Sequence, residues 1–334
     1  MTVTSSKLGL WHVPTIVGTF VLANLPRVDV VTYQGRHVPA LMAAGAALPA
    51  VAPDLQAVGA WTGARLRGFG LLRCAPAARR ASVEALTLLA PHAATALGDP
   101  VGPRQVETAE AMLQRLAGCA AAQGRPILVA RLREDSPYAP AFAANGFSTA
   151  AIEYEYARSP RPLSEAPDIE GLRPQEAPDA WDVMQLYRAT TPAAVQRAEA
   201  RTMEEMEQTP PRSASLWPWL GDVAIERHVV ADEHGLAAWL ELRVDAGESH
   251  RLTLMLHPRR HHMARTLINW ALWRLGAAAP RAVRIRVREP HSPIGSALET
   301  LGFTPGNSHA LMVKDVAVRA AEQVRGVVLD GAPG

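Results

Sequence analysis

Lysine is almost missing from this chain: Lys7 and Lys314 are the only two in 334 residues, so arginine carries nearly all the positive charge. Formal net charge is only +2 at pH 7, and the arginines are scattered. That excludes the basic stripe of a nucleic-acid-binding protein and gives no pull towards an anionic membrane. Cysteine is scarce as well. Cys74 and Cys119 stand far apart, outside any Cys-x-x-Cys or zinc-ligand spacing, and read as two reduced, buried thiols of a cytosolic protein. There is no Gly-x-Ser-x-Gly or Walker sequence, and Cys119 lies in an Ala-rich helical run. Nucleophilic catalysis therefore has no support. The one long apolar run, residues 8–26, is interrupted by Pro14 and carries His12 and Asn24, with no small-x-small cleavage site after it. It reads as the opening strand or helix of a first domain, not as a leader or a membrane span.

What the chain does have is bulk and repetition. Apolar residues make up 48% and charged residues 20%, enough for two cores at this length. "SPYAPAFAANGF" (residues 136–147) and "SPIGSALETLGF" (residues 292–303) share a Ser-Pro start and a Gly-Phe end at a constant offset of 156 residues. Upstream, "ILVARLRE" and "VRIRVREP" alternate apolar residues with arginine, as half-exposed strands do. Before each lies a helical pattern opening on Pro-Arg, at Pro103 and Pro258, which suits a first helical turn. Before those lie "EALTLLAP" and "RLTLMLHP", two strands sharing Leu-Thr-Leu.

Each half thus reads strand, helix, strand, short helix, Gly-Phe turn, strand. The second half adds a strand at "IEGLRP" and helices over about 179–189 and 193–207. A loop with Trp217 and Trp219 follows, then a hairpin turning at residues 232–235. The expected organisation is a first domain over 1–158, a Pro- and Ser-rich linker over 159–167, a second domain over 168–316, and a tail over 317–334.

This order of motifs resembles the GNAT acyl-CoA-dependent N-acyltransferases: a strand ending in His-Pro, an Arg-rich turn into a long helix, then a strand and a short helix closed by Leu-Gly-Phe. The likeness covers nearly all of the second half and the first half from about residue 64. It implies an α/β fold of two tandem GNAT-like domains with a mixed sheet, and an internal pseudo-dimer that is a monomer or homodimer. It also implies acetyl-CoA or another acyl-CoA as co-substrate and a small-molecule or peptide amine as acceptor. The cytoplasmic expectation comes from the two reduced thiols and the reading of residues 8–26.

The family's pyrophosphate turn, R-x-x-G-x-G/A, uses glycine so that backbone amides reach the phosphates at a helix N-terminus. Fitted here it spans residues 259–264: Arg259 takes the Arg place and Ala264 the last small place, but His262 stands where the central Gly belongs. Arg259, Arg260 and Arg265 compensate with charge, or are simply a solvated helix start. Backbone groups of Leu254, Met255 and Leu256 are implied to hold the pantetheine and acyl carbonyl. The first copy puts Glu107 at the glycine place, a carboxylate at the mouth of a phosphate site, so no CoA is expected there.

The family's thiolate-protonating Tyr falls on Phe142 and Leu298. Tyr138 lies one turn earlier, but its counterpart is Ile294, which makes it a packing residue. For a general base the candidate is Glu241 in "WLELRV", which alternation places opposite Leu240 and Leu242; an ordinary exposed Glu has the same pattern. Asp245 and Glu248 read as solvated. His257, His261 and His262 straddle Pro258 and have no neighbouring Cys or carboxylate, so no metal is expected. Trp217, Trp219, Trp239, Trp270 and Trp273 cluster in the second half and line a pocket or fill a core. The activity expected is acyl transfer in the second domain. The alternative is a catalytically inactive tandem GNAT pseudoenzyme serving as a binding or scaffold protein.

Overall fold

The computed structural model describes residues 3–7, 27–31, 54–89, 102–160, 165–207, 224–233, 235–244, 249–288 and 292–318. The run 8–26, Trp217 and Trp219, Asp245, Glu248 and the tail beyond residue 318 lie outside the described residues.

Among the described residues, thirteen strands form one mixed sheet. The first copy contributes β1 (Thr4–Lys7), β2 (Arg27–Val31), β3 (Leu55–Thr62), β4 (Arg65–Arg73), β5 (Arg80–Leu89), helix α1 (Pro103–Ala122), β6 (Ile127–Arg133), helix α2 (Ala139–Ala144) and β7 (Ser148–Arg158). The second contributes β8 (Leu172–Pro174), helices α3 (Ala180–Thr190), α4 (Ala193–Glu199) and α5 (Met203–Glu207), then β9 (Ala224–Asp232), β10 (Gly235–Val244) and β11 (Ser249–Leu256). A 3₁₀ turn (Pro258–Met263) leads into helix α6 (Ala264–Ala278), followed by β12 (Ala282–Val287), helix α7 (Pro293–Thr300) and β13 (Thr304–Asp315).

The strand order is β1-β3-β4-β5-β6-β13-β7-β12-β11-β10-β9-β8, with β2 on β5. The last strand of each copy has changed places. β13 pairs antiparallel with β6, and β7 pairs antiparallel with β12. The two exchanged strands pair with each other, His309 facing Glu153. Those positions are one repeat offset apart, so a pseudo-two-fold axis passes between them, perpendicular to the sheet. Pairing every central edge this way leaves no open strand at the junction.

One face of the sheet carries both long helices. There α1 and α2 cover a core containing Met112, Leu116, Leu128, Phe142 and, from the exchanged strand, Met312. Beside it α6 and α7 cover Leu240, Leu252, Ile285, Leu298 and the exchanged Tyr156. The opposite face is covered by α3 and α5 over Trp239 and Met255, and by α4 over Val129 and Leu311. So α4, a second-half helix, packs across the junction on first-half strands.

The repeated Gly-Phe pair has a local cause. Gly146 and Gly302 have φ of 78° and 80°, the left-handed region that glycine enters without penalty. The Phe147 amide reaches back to the Phe142 carbonyl at 3.1 Å, and the Phe303 amide to the Leu298 carbonyl at 3.0 Å. Each short helix thus ends in the same left-handed cap, with a buried Phe behind it.

Two sequence expectations change in detail. The helix expected over 193–207 breaks into α4 and α5, because Ala200 takes φ 41° and reverses the chain. The shared Leu-Thr-Leu does not occupy matching places. Parallel pairing ends at Val83–Ala130 in the first copy and at Leu252–Ile285 in the second. The bulge at Glu84 then shifts the first strand's letters against the second's.

Candidate functional site

In each copy the two central parallel strands pair over four residues and then part, opening a wedge beside the start of a long helix. The two wedges differ in what enters them. In the first, β2 pairs antiparallel with β5 from Leu86 to Leu89 and takes the edge that β5 turns away from β4. Val30 and Val31 are buried in the first core, and the Thr87 hydroxyl donates to Asp29 Oδ1 at 2.6 Å. In the second, β11 beyond Leu252 pairs only with β10 among the described strands.

Leu254 is half-buried, and Met255 and Leu256 are buried, so the wedge wall beside this edge is apolar. Residues 258–263 form a 3₁₀ turn, with the Arg260 amide bonded to the His257 carbonyl at 2.8 Å and Arg260 itself in a non-helical kink. Its guanidinium pairs with Asp232 at 2.8 Å, on the hairpin turn. Arg259, His262 and Arg265 are exposed, and Ala264 is buried as the first residue of α6. The fitted turn therefore brings Arg259 and Arg265 to the surface at a helix start and diverts Arg260 to structure. No group of three or more His, Cys, Asp or Glu that could hold a metal occurs among the described residues.

Glu241 lies on the opposite face of the sheet from α6, cross-strand from Thr253. It is 7% exposed, and both oxygens are engaged: Oε2 accepts from Arg227 Nε at 3.1 Å and Oε1 from Arg243 Nε at 2.9 Å. Burial alone would raise its pKa, but Arg243 and Arg227 outweigh that and hold it below the usual carboxylate range. Phe142 and Leu298, at the place of the family's acid, are both fully buried. Tyr138 is buried too, and desolvation raises its pKa. Cys74 and Cys119 are buried free thiols, and burial pushes Cys74 up to about 11, far from a reactive thiolate. Trp239 packs under α3, with Nε1 donating to Gln175 Oε1 at 2.7 Å, whereas Trp270 packs on the other face against His228. These tryptophans share no pocket. A hollow of about 370 Å³ lies beside α2, lined by Ala139, Phe147 and Met312, away from the second wedge; concavity alone does not choose the site.

Sequence reasoning passed over an ionic cluster at the junction, on the face with Glu241. Glu199 is 7% exposed and accepts from Arg288 Nη2 at 2.7 Å and Arg201 Nε at 3.0 Å. Its pKa would rise by burial, yet Arg201 and Arg288 bring it down to about 2. Arg288 also approaches Glu153 at 3.8 Å, and Glu153 accepts from Arg131 Nε at 2.7 Å. The signal was present in the alternating arginines of "ILVARLRE" and "VRIRVREP", which put Arg131, Arg286 and Arg288 on one face.

No protein-family model matches the chain, and no curated protein does. Solved structures do match. A tandem GNAT protein from the clavulanic acid biosynthesis pathway superposes with a TM-score of 0.55 at 16% identity, covering 96% of this chain and 100% of its own. A GCN5-related N-acetyltransferase from Sphaerobacter thermophilus gives 0.53 at 14% identity, covering 95% and 97%. At such identities the likeness fixes architecture and leaves activity to be argued from the site. The resemblance read from the repeated motifs holds at that level: the protein has the tandem GNAT fold, two copies in one chain.

Proposed function

We propose that the protein is an acyl-CoA-dependent N-acyltransferase with one working site, in the second copy. The observation that carries this reading is the contrast between the wedges. β11 parts from β12 after Leu252 with its next backbone edge paired only to β10 among the described strands, while β2 occupies the same edge in the first copy.

An acyl-CoA bound here supplies an activated thioester carbonyl. The residues present fit such a group in part. Backbone groups of Leu254, Met255 and Leu256 offer a strand edge for the pantetheine, and Arg259 and Arg265 offer charge at the N-terminus of α6. His262 and the closed 3₁₀ turn replace the glycine loop, so phosphate recognition leans on arginine rather than on backbone amides. Transfer joins the amine nitrogen to the acyl carbon and breaks the carbon–sulfur bond; the amine gives up a proton and the leaving sulfur takes one. Leu298 has no proton to give, so water serves that role. Glu241 stays ionised at neutral pH but is a weak base with both oxygens engaged. Its work is to fix Arg227 and Arg243 on the acceptor face, and the amine's proton leaves to water.

A second reading, a tandem-fold binding protein without catalysis, is favoured by the same Leu298 and the same closed turn. Titration calorimetry with acetyl-CoA separates the two. We expect binding by the native chain, lost in Arg259→Glu and retained in Arg104→Glu. No heat and no thermal shift at millimolar acetyl-CoA sinks the transferase reading.

A further inference from the structure

Among the described residues the junction cluster is short of negative charge. In its ion pairs, five guanidiniums (Arg131, Arg201, Arg284, Arg286 and Arg288) divide three carboxylates, Glu153, Glu155 and Glu199. Arg286 is served worst. Its Nη2 lies 3.4 Å from Glu155, whose other oxygen is held at 3.0 Å by Arg284. Burial, and then the like charge of Arg131, depress its pKa below that of an ordinary arginine. Two buried nitrogens at the same place, Arg288 Nε and His309 Nδ1, have no partner among the described residues. Burial and the neighbouring Arg286 also lower the His309 pKa, which keeps that imidazole neutral near pH 7. An unpaired buried donor costs about 1–3 kcal/mol, so a fold tolerates one where something else supplies the acceptor.

The position of this deficit gives it meaning. Arg286 and Arg288 follow Ile285, the last β12 residue that pairs with β11, and they share a face with Glu241 and Thr253. That is the face opposite α6, and on the transferase reading it is the side left for an acceptor. Thr253 is exposed there, and the Arg286 and Arg288 side chains are 25% and 30% exposed, so the arginines are within reach of solvent. A guanidinium fork with a nearby single N–H matches a planar carboxylate, which accepts two parallel hydrogen bonds and brings the missing charge.

Resting on the transferase reading above, we propose that the acceptor is an amine that also carries a carboxylate, and that Arg286 and Arg288 hold that carboxylate beside the second wedge. The cluster then does more than cement the copies. It selects amino-acid-like acceptors and orients their amines towards the thioester.

The test is calorimetry on the whole chain, without coenzyme, using a panel of N-acetylated amino acids and the corresponding N-acetylated amino-acid amides as product-like probes. Acids are expected to bind at least about tenfold tighter than their amides, with the advantage lost in Arg286→Gln and kept in Arg197→Gln, a surface ion-pair variant. Thiol release from acetyl-CoA with the free amino acids and their amides should follow the same order. Amides bound as tightly as acids, an acid preference that survives both Arg286→Gln and Arg288→Gln, or no binding by any probe overturns the proposal. An Arg286-dependent acid preference without thiol release supports the anion site while sinking the transferase reading. Because the acid-to-amide ratio is internal to each protein, a variant that is merely less stable leaves it unchanged.

Discussion

In the first copy β5 leaves β6 after Val83 and the gap is taken by β2; in the second β11 leaves β12 after Leu252 and no described strand follows it in. Both copies keep the long helix, the short helix and the left-handed glycine cap. The difference lies in which chemistry satisfies one exposed backbone edge. An unpaired edge inside a core is costly, so it needs a partner from the chain or from a ligand. One copy of a repeated fold can therefore have that edge satisfied internally, and here the inserted strand also adds Val30 and Val31 to the first core.

The largest effect expected from breaking this comparison follows from the exchanged strands. Residues 165–334 expressed alone lose β7, which leaves β12 unpaired on one side and β13 without β6 or β7. We expect no cooperative melting transition from this half, and recovery when it is co-expressed with residues 1–160. A stable, monomeric half by circular dichroism would mean that β13 returns to β12 and that the exchange is optional.

A smaller effect is expected at the clamp between the copies. Arg80, at the start of β5, bonds the Glu199 backbone carbonyl and pairs with Glu205 at 3.1 Å, while Thr202 Oγ1 donates to the Ala77 carbonyl at 2.9 Å. Glu199→Gln takes the shared anion from Arg201 and Arg288, whose side chains are 25% and 30% exposed, so the loss should fall short of the roughly 3–5 kcal/mol of a fully buried pair. Denaturant unfolding should show that loss, with both copies melting together. Low pH does the same by protonation. The folded pKa of Glu199 is about 2, depressed from the ordinary 4.5, so its contribution is present above about pH 4.5 and lost as pH falls through 2. Glu153 and Glu241 are also depressed and add in the same direction. Stability that is flat between pH 5 and pH 2 would contradict this account.

Local rules made some of this legible in sequence, and non-local pairing hid the rest. The Gly-Phe caps, the Pro-Arg helix start at Pro103 and the hairpin turn depend on a few consecutive residues, and each lies where its letters suggest. Pro258, by contrast, opens a kinked 3₁₀ turn, and the second long helix begins only at Ala264. The strand exchange was hidden because β7 and β13 alternate the same way whichever neighbour they join. Ala200 breaks a helix with neither Gly nor Pro to announce it. β2 is five residues long, and nothing in "RVDVV" says which edge it will take. For the proposed site, the exposed Arg259 and Arg265 were readable from the motif's frame and the residue after it. The junction cluster was not, since its members come from β6, β7, β12 and the residues around Ala200.

The finest test of the contrast is Thr87→Val. Thr87 is 1% exposed and its hydroxyl ties β5 to Asp29 of β2. Valine keeps the shape and the β-branch but removes the donor, so the loss should be about 1 kcal/mol, seen as a small fall in melting temperature. The backbone ladder from Leu86 to Leu89 is untouched by this change, and Val30 and Val31 stay in the first core. β2 should therefore remain in the wedge, and the acetyl-CoA titration should keep a single site of unchanged affinity. A second binding equivalent in Thr87→Val would mean that one side-chain hydrogen bond holds β2 in place. The first copy would then be a gated site, and the division into one working copy and one scaffold would fail.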